Sequence, residues 1–268
     1  MAKTKIITVA NQKGGVGKTT TVINLAHGLA LRGKNVLLVD LDPQANVASA
    51  LNLEQDSGTY YVLTTGRKSD TEIQFVQSWI RPTGRNNMWH IPGNAETVRA
   101  QNDVSNRNPP APLSHVREML LVFMKNGLDY IIIDTSPSIG GLQERALYAA
   151  DLVIVPTNME YLANEGVRNL IIDINTLVRR KKWNGKLLGV LPTFYDDRSR
   201  VMRESMSQLR QTFGDATLTP IHRSVVFSAA SGEGKTIYEY AQEDRHNPYV
   251  KRAVQEYTEL VRRTLYSR

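Results

Sequence analysis

A glycine-rich turn between a short apolar strand and a helix constrains the fold of this 268-residue chain more than any other feature. The β-branched run at 5–10 predicts a strand, and residues 18–32 repeat apolar side chains at helical spacing until Gly33. A second strand is predicted at 35–40. Strand, helix and strand in this order form a βαβ unit, which requires a parallel sheet with a right-handed crossover.

Further apolar runs continue this alternation along the chain. Nearly continuous apolar segments predict buried parallel strands, at 130–134, 152–156 and 187–192. Shorter runs predict two more strands, at 88–92 and 217–221. Helices are predicted at 112–126, 142–150, 161–182, 198–213 and 247–266. The pattern predicts a doubly wound α/β fold, with a mainly parallel sheet flanked by helices and ligand loops at the carboxyl ends of the strands.

Length and composition set further limits on the fold and on the function. The length suits one large domain or two small ones, with a core large enough to fold unaided, and we predict a single domain over 1–268. Within it, Gly and Pro punctuate 54–115, which predicts a loop-rich insertion with short helices. The lack of cysteine excludes disulfide scaffolds, Cys-ligated zinc, iron–sulfur clusters and cysteine nucleophiles. Without an apolar run of bilayer length or a secretory pattern, the chain is expected to be cytoplasmic.

The turn at 11–21 has the composition of an anion-binding loop. Its three glycines let successive backbone N–H groups turn inward, and the helix that follows presents its positive N-terminus. Lys18 supplies a cation, and Thr19 supplies a hydroxyl suited to magnesium. A nucleoside triphosphate is the predicted ligand, bound by consecutive residues of the turn: Gly14, Gly15, Val16, Gly17, Lys18, Thr19 and Thr20.

The turn departs from the standard phosphate-loop pattern, G-x-x-x-x-G-K-[ST], at its first position. Gln12 stands where that pattern has glycine, and Lys13 follows, so the loop carries two lysines. The run from Lys13 to Thr20 resembles the deviant Walker A box of the ParA/MinD ATPases, which are P-loop NTPases, and the resemblance covers most of the chain. It implies that Lys18 and Thr19 serve the subunit's own ATP and magnesium. Lys13 would reach the partner's phosphates in an ATP-sandwiched homodimer.

Two predicted strands end in carboxylates at the same edge of the sheet. Asp40 and Asp42 point to one side of the extended chain, and buried carboxylates this close need a cation or a proton. Asp134 closes an apolar strand, where a charge is costly unless it meets a metal or a bound water. The resemblance implies that Asp42 orients the attacking water and that Asp40 supports Thr19 and the magnesium shell. It places Asp134, in a Walker B pattern, in the outer shell; strand termination and capping are the structural alternatives.

The region expected to recognise the nucleotide base is marked less clearly. Pro192 and Thr193 end a predicted strand and resemble the family loop that packs on adenine. Asn158 and Glu160 follow the neighbouring strand. We predict an adenine contact only for Pro192 and Thr193.

Positive charge is concentrated in the last third of the chain. The sequence has 33 Lys and Arg against 26 Asp and Glu, and the whole excess of +7 falls in 179–268. A polyanion is therefore the predicted partner, with solubilising surface charge as the alternative. Because no base-reading motif is found, DNA binding would act on the phosphate backbone without sequence preference. The resemblance implies DNA contacts at Arg198, Arg200 and Arg223, whereas the basic run 179–182 could simply complement a helix dipole.

The resemblance implies a Soj-like partition ATPase of the ParA branch, with ATP and Mg²⁺ as cofactors. Its Mg-ATP homodimer would bind nonspecific nucleoid DNA and be released when a ParB-like or other cargo adaptor stimulates a slow hydrolysis. Two alternatives stay open: a membrane-associated relative of the MinD type, and a metabolic P-loop enzyme such as a synthetase. The apolar positions of the last helix favour packing on the sheet over membrane insertion.

Overall fold

The computed structural model describes residues 4–66, 69–124, 127–137, 141–159, 171–172, 174–176 and 183–267. The strands within these ranges are β1 Lys5–Val9, β2 Val36–Asp40, β3 Arg81–Pro82, β4 Met88–Ile91, β5 Tyr130–Asp134, β6 Leu152–Asn158 and β7 Lys186–Thr193. The first seven helices are α1 Lys18–Ala30, α2 Asn46–Ala50, α3 Gly58–Thr64, α4 Asp70–Gln77, α5 Glu96–Ser105, α6 His115–Met124 and α7 Leu142–Ala149. The next four are α8 Arg200–Phe213, α9 Val226–Gly232, α10 Ile237–Glu243 and α11 Pro248–Leu265. A 3₁₀ turn, Gly214–Ala216, follows α8.

The described strands form one sheet in the order β3-β4-β2-β5-β1-β6-β7. Every neighbouring pair is parallel except β3 with β4. The predicted doubly wound α/β fold is confirmed. Because β1 lies in the interior of the sheet, the loop that follows it emerges at the carboxyl edge with β5 on one side and β6 on the other.

Both faces of the sheet are covered, which explains the nearly continuous apolar strands. On β2, Val36 and Leu38 belong to the cluster that includes α1 and α11, whereas Leu37 and Val39 belong to the cluster that includes α3, α5 and α6. Burying each such side chain stabilises the fold by about 1.5–3 kcal/mol. The core therefore holds the carboxyl edge rigidly from both sides.

The insertion predicted at 54–115 contains short helices, α3, α4 and α5, as expected. The strand predicted at 88–92 is present as β4, and it pairs with β2 as part of the sheet. The Thr59 hydroxyl donates to the carbonyl oxygen of Asp40 over 2.8 Å. A Cβ placed on Gly93 would lie only 2.7 Å from that same oxygen, so the close approach requires glycine. The insertion thus supports the end of β2.

The strand predicted at 217–221 is wrong. This stretch, with the residue after it, runs beside β7 and makes only isolated bridges, to Val190 and to Tyr195. Pro220 offers no N–H group and cannot take part in a continuous ladder. The segment is nevertheless held to the sheet edge by hydrogen bonds to the carbonyl oxygens of Val190, Pro192 and Tyr195.

The remaining predicted helices are found where the structure describes them. The predictions at 112–126, 142–150, 198–213 and 247–266 correspond to α6, α7, α8 and α11, which begin up to three residues later. Of the helix predicted at 161–182, the described stretches 171–172 and 174–176 are helical. Its other residues lie outside the described part of the chain, as do the basic run 179–182 and Glu160.

Helix α11 packs against the core, as its apolar spacing predicted. Val250, Tyr257, Leu260 and Val261 are buried in the cluster that contains α1. Val254 and Leu265 pack against the same cluster. The apolar stripe of this helix is therefore already covered by protein. Among the described residues, none of the helices combines the length and the apolar character needed to cross a bilayer.

Candidate functional site

The loop between β1 and α1 has an open backbone at the carboxyl edge of the sheet. Gly15 and Gly17 have φ angles of 70° and 83°, in the left-handed region that favours glycine. A Cβ on Gly14 or Gly15 would meet no atom within 4 Å. Gly17 directly precedes α1, so the unpaired N–H groups of the first helical turn lie beside this opening. The loop can accept an anion without rearranging its backbone.

Hydrogen bonds to two neighbouring strands hold the loop in place. Asn11, which is buried, donates from Nδ2 to the carbonyl oxygen of Pro156 over 2.7 Å and accepts the N–H of Lys13 over 2.9 Å. The Thr193 hydroxyl donates to the carbonyl oxygen of Val16 over 3.0 Å. Our sequence analysis missed Asn11, whose signal is a polar side chain at the exact junction of a buried strand and a glycine loop.

Thr193 lies against the loop together with the residue that follows it. A Cβ on Gly17 would lie 3.7 Å from Cγ2 of Thr193 and 3.8 Å from Cε2 of Phe194. Pro192 is buried in β7, and Asn158 pairs with Thr193 where β6 and β7 end. The structure therefore brings Thr193 to the phosphate loop. Its contact with adenine, and that of Pro192, stay predictions.

Lys18 is buried at the start of α1. Its Nζ donates to the carbonyl oxygen of Lys13 over 3.1 Å, and only 7% of the residue is exposed. Burial lowers the pKa of Lys18, while the carboxylates of Asp134 and Asp42 act to raise it. Lys18 thus lies between the loop and these two carboxylates. Lys13 is half-buried, and its predicted reach into a second subunit stays a prediction.

Thr19 and Asp134 form the contact that joins the loop to β5. The Thr19 hydroxyl donates to Oδ2 of Asp134 over 2.6 Å, and Oδ1 of Asp134 accepts the N–H of Thr135 over 3.1 Å. Burial, with a contribution from Asp42, raises the pKa of Asp134 to about 7 against the opposing effects of Thr19 and Lys18. This bond joins the loop to Asp134, whereas the sequence predicted that Asp40 would support Thr19.

Asp40 binds its own turn. Its Oδ1 accepts the N–H of Asp42 over 2.9 Å, and its Oδ2 accepts the N–H of Val47 over 3.2 Å. Burial, followed by the charge of Asp134, raises the pKa of Asp40 well above its ordinary value, although both backbone bonds oppose the shift. The hydroxyl of Thr19 is bound by Asp134, so the support predicted from Asp40 comes from Asp134. A place for Asp40 in a magnesium shell stays a prediction.

Asp42 is held by hydrogen bonds within the turn that follows β2. Its Oδ1 accepts the N–H of Gln44 over 3.0 Å, and its backbone carbonyl accepts the N–H of Ala45 over 3.0 Å. The residue is buried, and its charge acts on both Lys18 and Asp134.

The oxygen donors in this site suit magnesium shared with phosphates. Burial and mutual repulsion raise the pKa values of Asp40 and Asp134, and a divalent cation would relieve that repulsion. Within the described ranges, no group of three or more His, Asp or Glu side chains could hold a metal ion unaided. Magnesium commonly retains several waters and binds one or two protein oxygens plus substrate phosphates. The hydroxyl of Thr19, backed by Asp134, fits that mode of binding.

A second candidate region is a groove of about 260 Å³ where the loop before α8, the segment 222–224 and the first turns of α11 meet. We call it the arginine groove. Its polar lining includes Asp196, Asp197, Arg198, His222, Arg223, Tyr249, Arg252 and Glu256. The groove unites Arg198 and Arg223, two of the predicted DNA contacts. Arg200 does not line it and pairs with Glu204 on α8 at 2.7 Å. Sequence analysis did not select Arg252.

His222 and Glu256 join the parts of the arginine groove. Nδ1 of His222 lies 2.6 Å from Oε1 of Glu256, and the backbone N–H of His222 donates to Oε2 over 3.0 Å. Burial raises the pKa of Glu256, and these bonds from His222 oppose the rise. These bonds hold the segment 222–224 against α11 and so set the position of Arg223, the residue after His222.

Comparison with known proteins agrees with this geometry. A family model described as an AAA domain matches residues 4–187. The chain is 37% identical over 241 residues to the chromosome-partitioning ATPase Soj of Thermus thermophilus, with 90% of each chain covered. It is 35% identical over 246 residues to the sporulation initiation inhibitor protein Soj of Bacillus subtilis, with 90% of this chain and 93% of that protein covered. Among solved structures, cobyrinic acid a,c-diamide synthase from Mycobacterium smegmatis with bound ADP and magnesium superposes with a TM-score of 0.76, 28% identity, and coverage of 99% of this chain and 97% of that one.

Proposed function

The chain belongs to the Soj/ParA family of partitioning ATPases, and we propose that it is a switch that dimerises around Mg-ATP, binds DNA as the dimer and releases it after hydrolysis. The protein is an ATPase with ATP and magnesium as its cofactors. The observation that carries the proposal is the bond between Thr19 and Asp134 beside the buried ammonium of Lys18. Hydroxyl, carboxylate and cation lie together there.

Each residue of the loop has a distinct part in the proposed reaction. Magnesium held by the hydroxyl of Thr19 would supply positive charge against the phosphates during transfer of the terminal phosphoryl group to water. Lys18 and the backbone N–H groups of the loop bind the phosphates, and Thr19 is oriented by Asp134. Asp42, which is buried and whose charge acts on Lys18 and Asp134, orients the attacking water. Because positioning and charge neutralisation dominate such reactions, few groups are needed.

Dimerisation around ATP requires that the charge of the two nucleotides be neutralised. Two ATP molecules face to face would bring roughly eight negative charges together, a repulsion that requires cations from both subunits. Lys13 is the candidate for the cross-subunit cation. The proposed dimer therefore forms with ATP and comes apart after hydrolysis.

DNA binding is assigned to the basic last third of the chain. All of the excess positive charge falls in 179–268, and the arginine groove gathers guanidinium groups from separate segments. Binding of this kind acts on phosphates and weakens steeply with salt. In the cell the dimer would lie on the nucleoid, and a ParB-like or other adaptor on the cargo would stimulate hydrolysis and release.

Retention on DNA-cellulose tests the switch directly. We expect the protein to be retained on DNA-cellulose with Mg-ATP and to elute with ADP or without nucleotide. The amount retained with Mg-ATP should fall as the salt concentration rises. Retention that is equal with and without nucleotide would contradict the proposal. Sedimentation velocity on Lys13→Ala provides a second test, since this variant should bind ATP yet stay monomeric. ATP-dependent dimerisation by Lys13→Ala would remove its cross-subunit role.

A synthetase function is the second candidate, because of the 28% identity with the cobyrinic acid a,c-diamide synthase over nearly the whole chain. Identity with the Soj proteins is higher, which favours partitioning. ATP turnover that depends on cobyrinic acid and ignores DNA would support the synthetase. The membrane-associated alternative is disfavoured by α11, whose apolar stripe is covered by the core, and cosedimentation with anionic liposomes tests it.

A further inference from the structure

The groove residue Arg198 is bound by a carboxylate of its own loop. Its Nε donates to Oδ1 of Asp196 over 2.9 Å, and its Nη2 donates to Oδ2 over 2.8 Å. The backbone N–H of Arg198 also donates to Oδ1, over 3.0 Å. This bidentate pairing uses the same planar fork of N–H groups by which a guanidinium binds phosphate. A phosphate cannot occupy this Nε–Nη2 edge of the guanidinium while Asp196 holds it.

We propose that Asp196 competes with DNA phosphate for Arg198 and thereby sets the affinity of the protein for DNA. The inference rests on the proposed DNA binding, to which it adds a residue that weakens the complex. When DNA binds, its phosphate replaces the Asp196 carboxylate at Arg198. The free energy needed to break the internal pair reduces the free energy gained from the contact with DNA.

The two partners differ in how they are held. The Asp196 N–H donates to Sδ of Met202 over 3.2 Å, and its carbonyl accepts the N–H of Ser199 over 3.1 Å. Its side chain is 29% exposed, whereas that of Arg198 is 86% exposed. Asp196 is therefore the fixed member, and the arginine can swing outward to a phosphate. Its bonds with Arg198 lower the pKa of Asp196 to about 2, so the competing carboxylate is charged at neutral pH.

The adjacent residue provides a matched control. Asp197 lies in the same loop and carries the same charge, but its Oδ2 lies 3.8 Å from Nε2 of His222. Replacing either carboxylate by its amide removes one negative charge from the arginine groove. Only the change at Asp196 also releases the fork of Arg198. A comparison of the two variants separates competition from a general change in charge.

Fluorescence anisotropy measures the DNA affinity of each variant. The titrations use labelled duplexes of two unrelated sequences, with magnesium and a slowly hydrolysed ATP analogue. Because exposed ion pairs are individually weak, we expect Asp196→Asn to tighten binding by about threefold. Asp197→Asn should tighten it by about 1.5-fold or less, through the general field alone. Both duplexes should respond equally, since the contact is with the backbone.

A double change identifies the partner of Asp196. Arg198→Ala should weaken DNA binding, and in that background Asp196→Asn should help no more than Asp197→Asn does. Calorimetric binding of Mg-ATP shows whether each variant is folded. If Asp196→Asn does not fold, Asp196→Ser takes its place, with the same expected result.

The outcomes separate this inference from the function on which it rests. If the unaltered protein shows no nucleotide-dependent DNA binding, the proposed function fails and the competitor role falls with it. If the unaltered protein binds DNA but Asp196→Asn binds no better than Asp197→Asn, only the competitor role is overturned. An equal gain from Asp196→Asn with and without Arg198 would also overturn it.

Discussion

The loop after β1 and the arginine groove, which are the proposed sites for ATP and for DNA phosphates, hold their cations in opposite ways. Lys18 is buried and bound to a backbone carbonyl, with Asp134 and Asp42 near it. Arg198 is exposed, and its guanidinium is bound by the single carboxylate of Asp196. A buried charge is fixed in place and interacts strongly because the local dielectric is low. An exposed charge can move, and salt screens it. The first arrangement suits one specific triphosphate, and the second suits phosphates at many positions along a polymer.

The largest effect is expected at Asp42. We expect Asp42→Ala to keep its affinity for Mg-ATP and to lose turnover by roughly 100-fold or more, because the group proposed to orient water is removed. Phosphate release measures turnover, and calorimetry measures affinity. Asp42→Asn is the matched control, since its side-chain oxygen can still accept the N–H of Gln44. Turnover near the original level in Asp42→Asn would show that the carboxylate serves only the turn.

Lys18→Ala should remove most nucleotide binding. Loss of a buried cation proposed to bind phosphate should weaken Mg-ATP affinity on the order of 100-fold. The effect should change little with salt, in contrast to any change in the arginine groove. Calorimetry at low and high salt tests both statements. A loss that disappears in high salt would mean that Lys18 acts as an exposed charge and would erase the contrast between the two regions.

The role assigned to burial can be tested away from both regions, at His90 of β4. The residue is 3% exposed, and its Nδ1 has no hydrogen-bond partner among the described residues. Burial, and then the charge of Arg81, lowers the pKa of His90 to about 4 from 6.5. The unfolded chain therefore takes up this proton at a higher pH than the folded chain does. The contribution of neutral His90 to the free energy of unfolding is complete above pH 6.5. It is lost as the pH falls toward 4, by up to about 3 kcal/mol.

His90→Leu should remove that share of the acid sensitivity. Urea unfolding near neutral pH and near pH 4 gives the free energy of unfolding for both proteins. We expect the difference between the two pH values to be smaller in His90→Leu, whose leucine suits the apolar surroundings. The same acid loss in both proteins would show that His90 is protonated without cost in the folded state.

The smallest effect is expected at Arg252, in the arginine groove. Arg252→Ala should weaken DNA binding by about threefold to tenfold and reduce the slope of log affinity against log salt by about one. Lys251→Ala is the matched control, because it removes the same charge from the neighbouring position of α11, which does not line the groove. Anisotropy titrations across a salt series test the pair. Equal losses in the two variants would indicate a diffuse basic surface with no preferred groove.

Much of the nucleotide site could be predicted because its signals are local. Glycine spacing, Lys18 and Thr19 lie within one short turn, and the apolar runs locate β1, β2 and β5 to within about a residue. Asp134 was identified because a charge at the end of a buried strand is unusual. Asn11 was missed, since nothing in its neighbours shows that its amide reaches the carbonyl of Pro156.

Prediction was poorer where a segment depends on what it packs against. The strand predicted at 88–92 is present as β4, but its neighbour in the sheet, β2, could not be identified from residues 54–115, which have no single period. The stretch 217–221 has strand-like composition, but Pro220 interrupts its pairing beside β7. In both regions the partner, which is distant in sequence, decides the structure.

The sequence alone determined the βαβ start, the phosphate loop with its two lysines, the carboxylates that end β2 and β5, and the uneven distribution of charge. These properties depend on backbone period and on the spacing of neighbouring residues. Only the tertiary structure decided that Thr19 bonds Asp134, that His222 fastens Glu256, and that three arginines from separate segments line one groove. Such contacts arise when the sheet and its helices pack together, and packing joins residues that no local pattern relates.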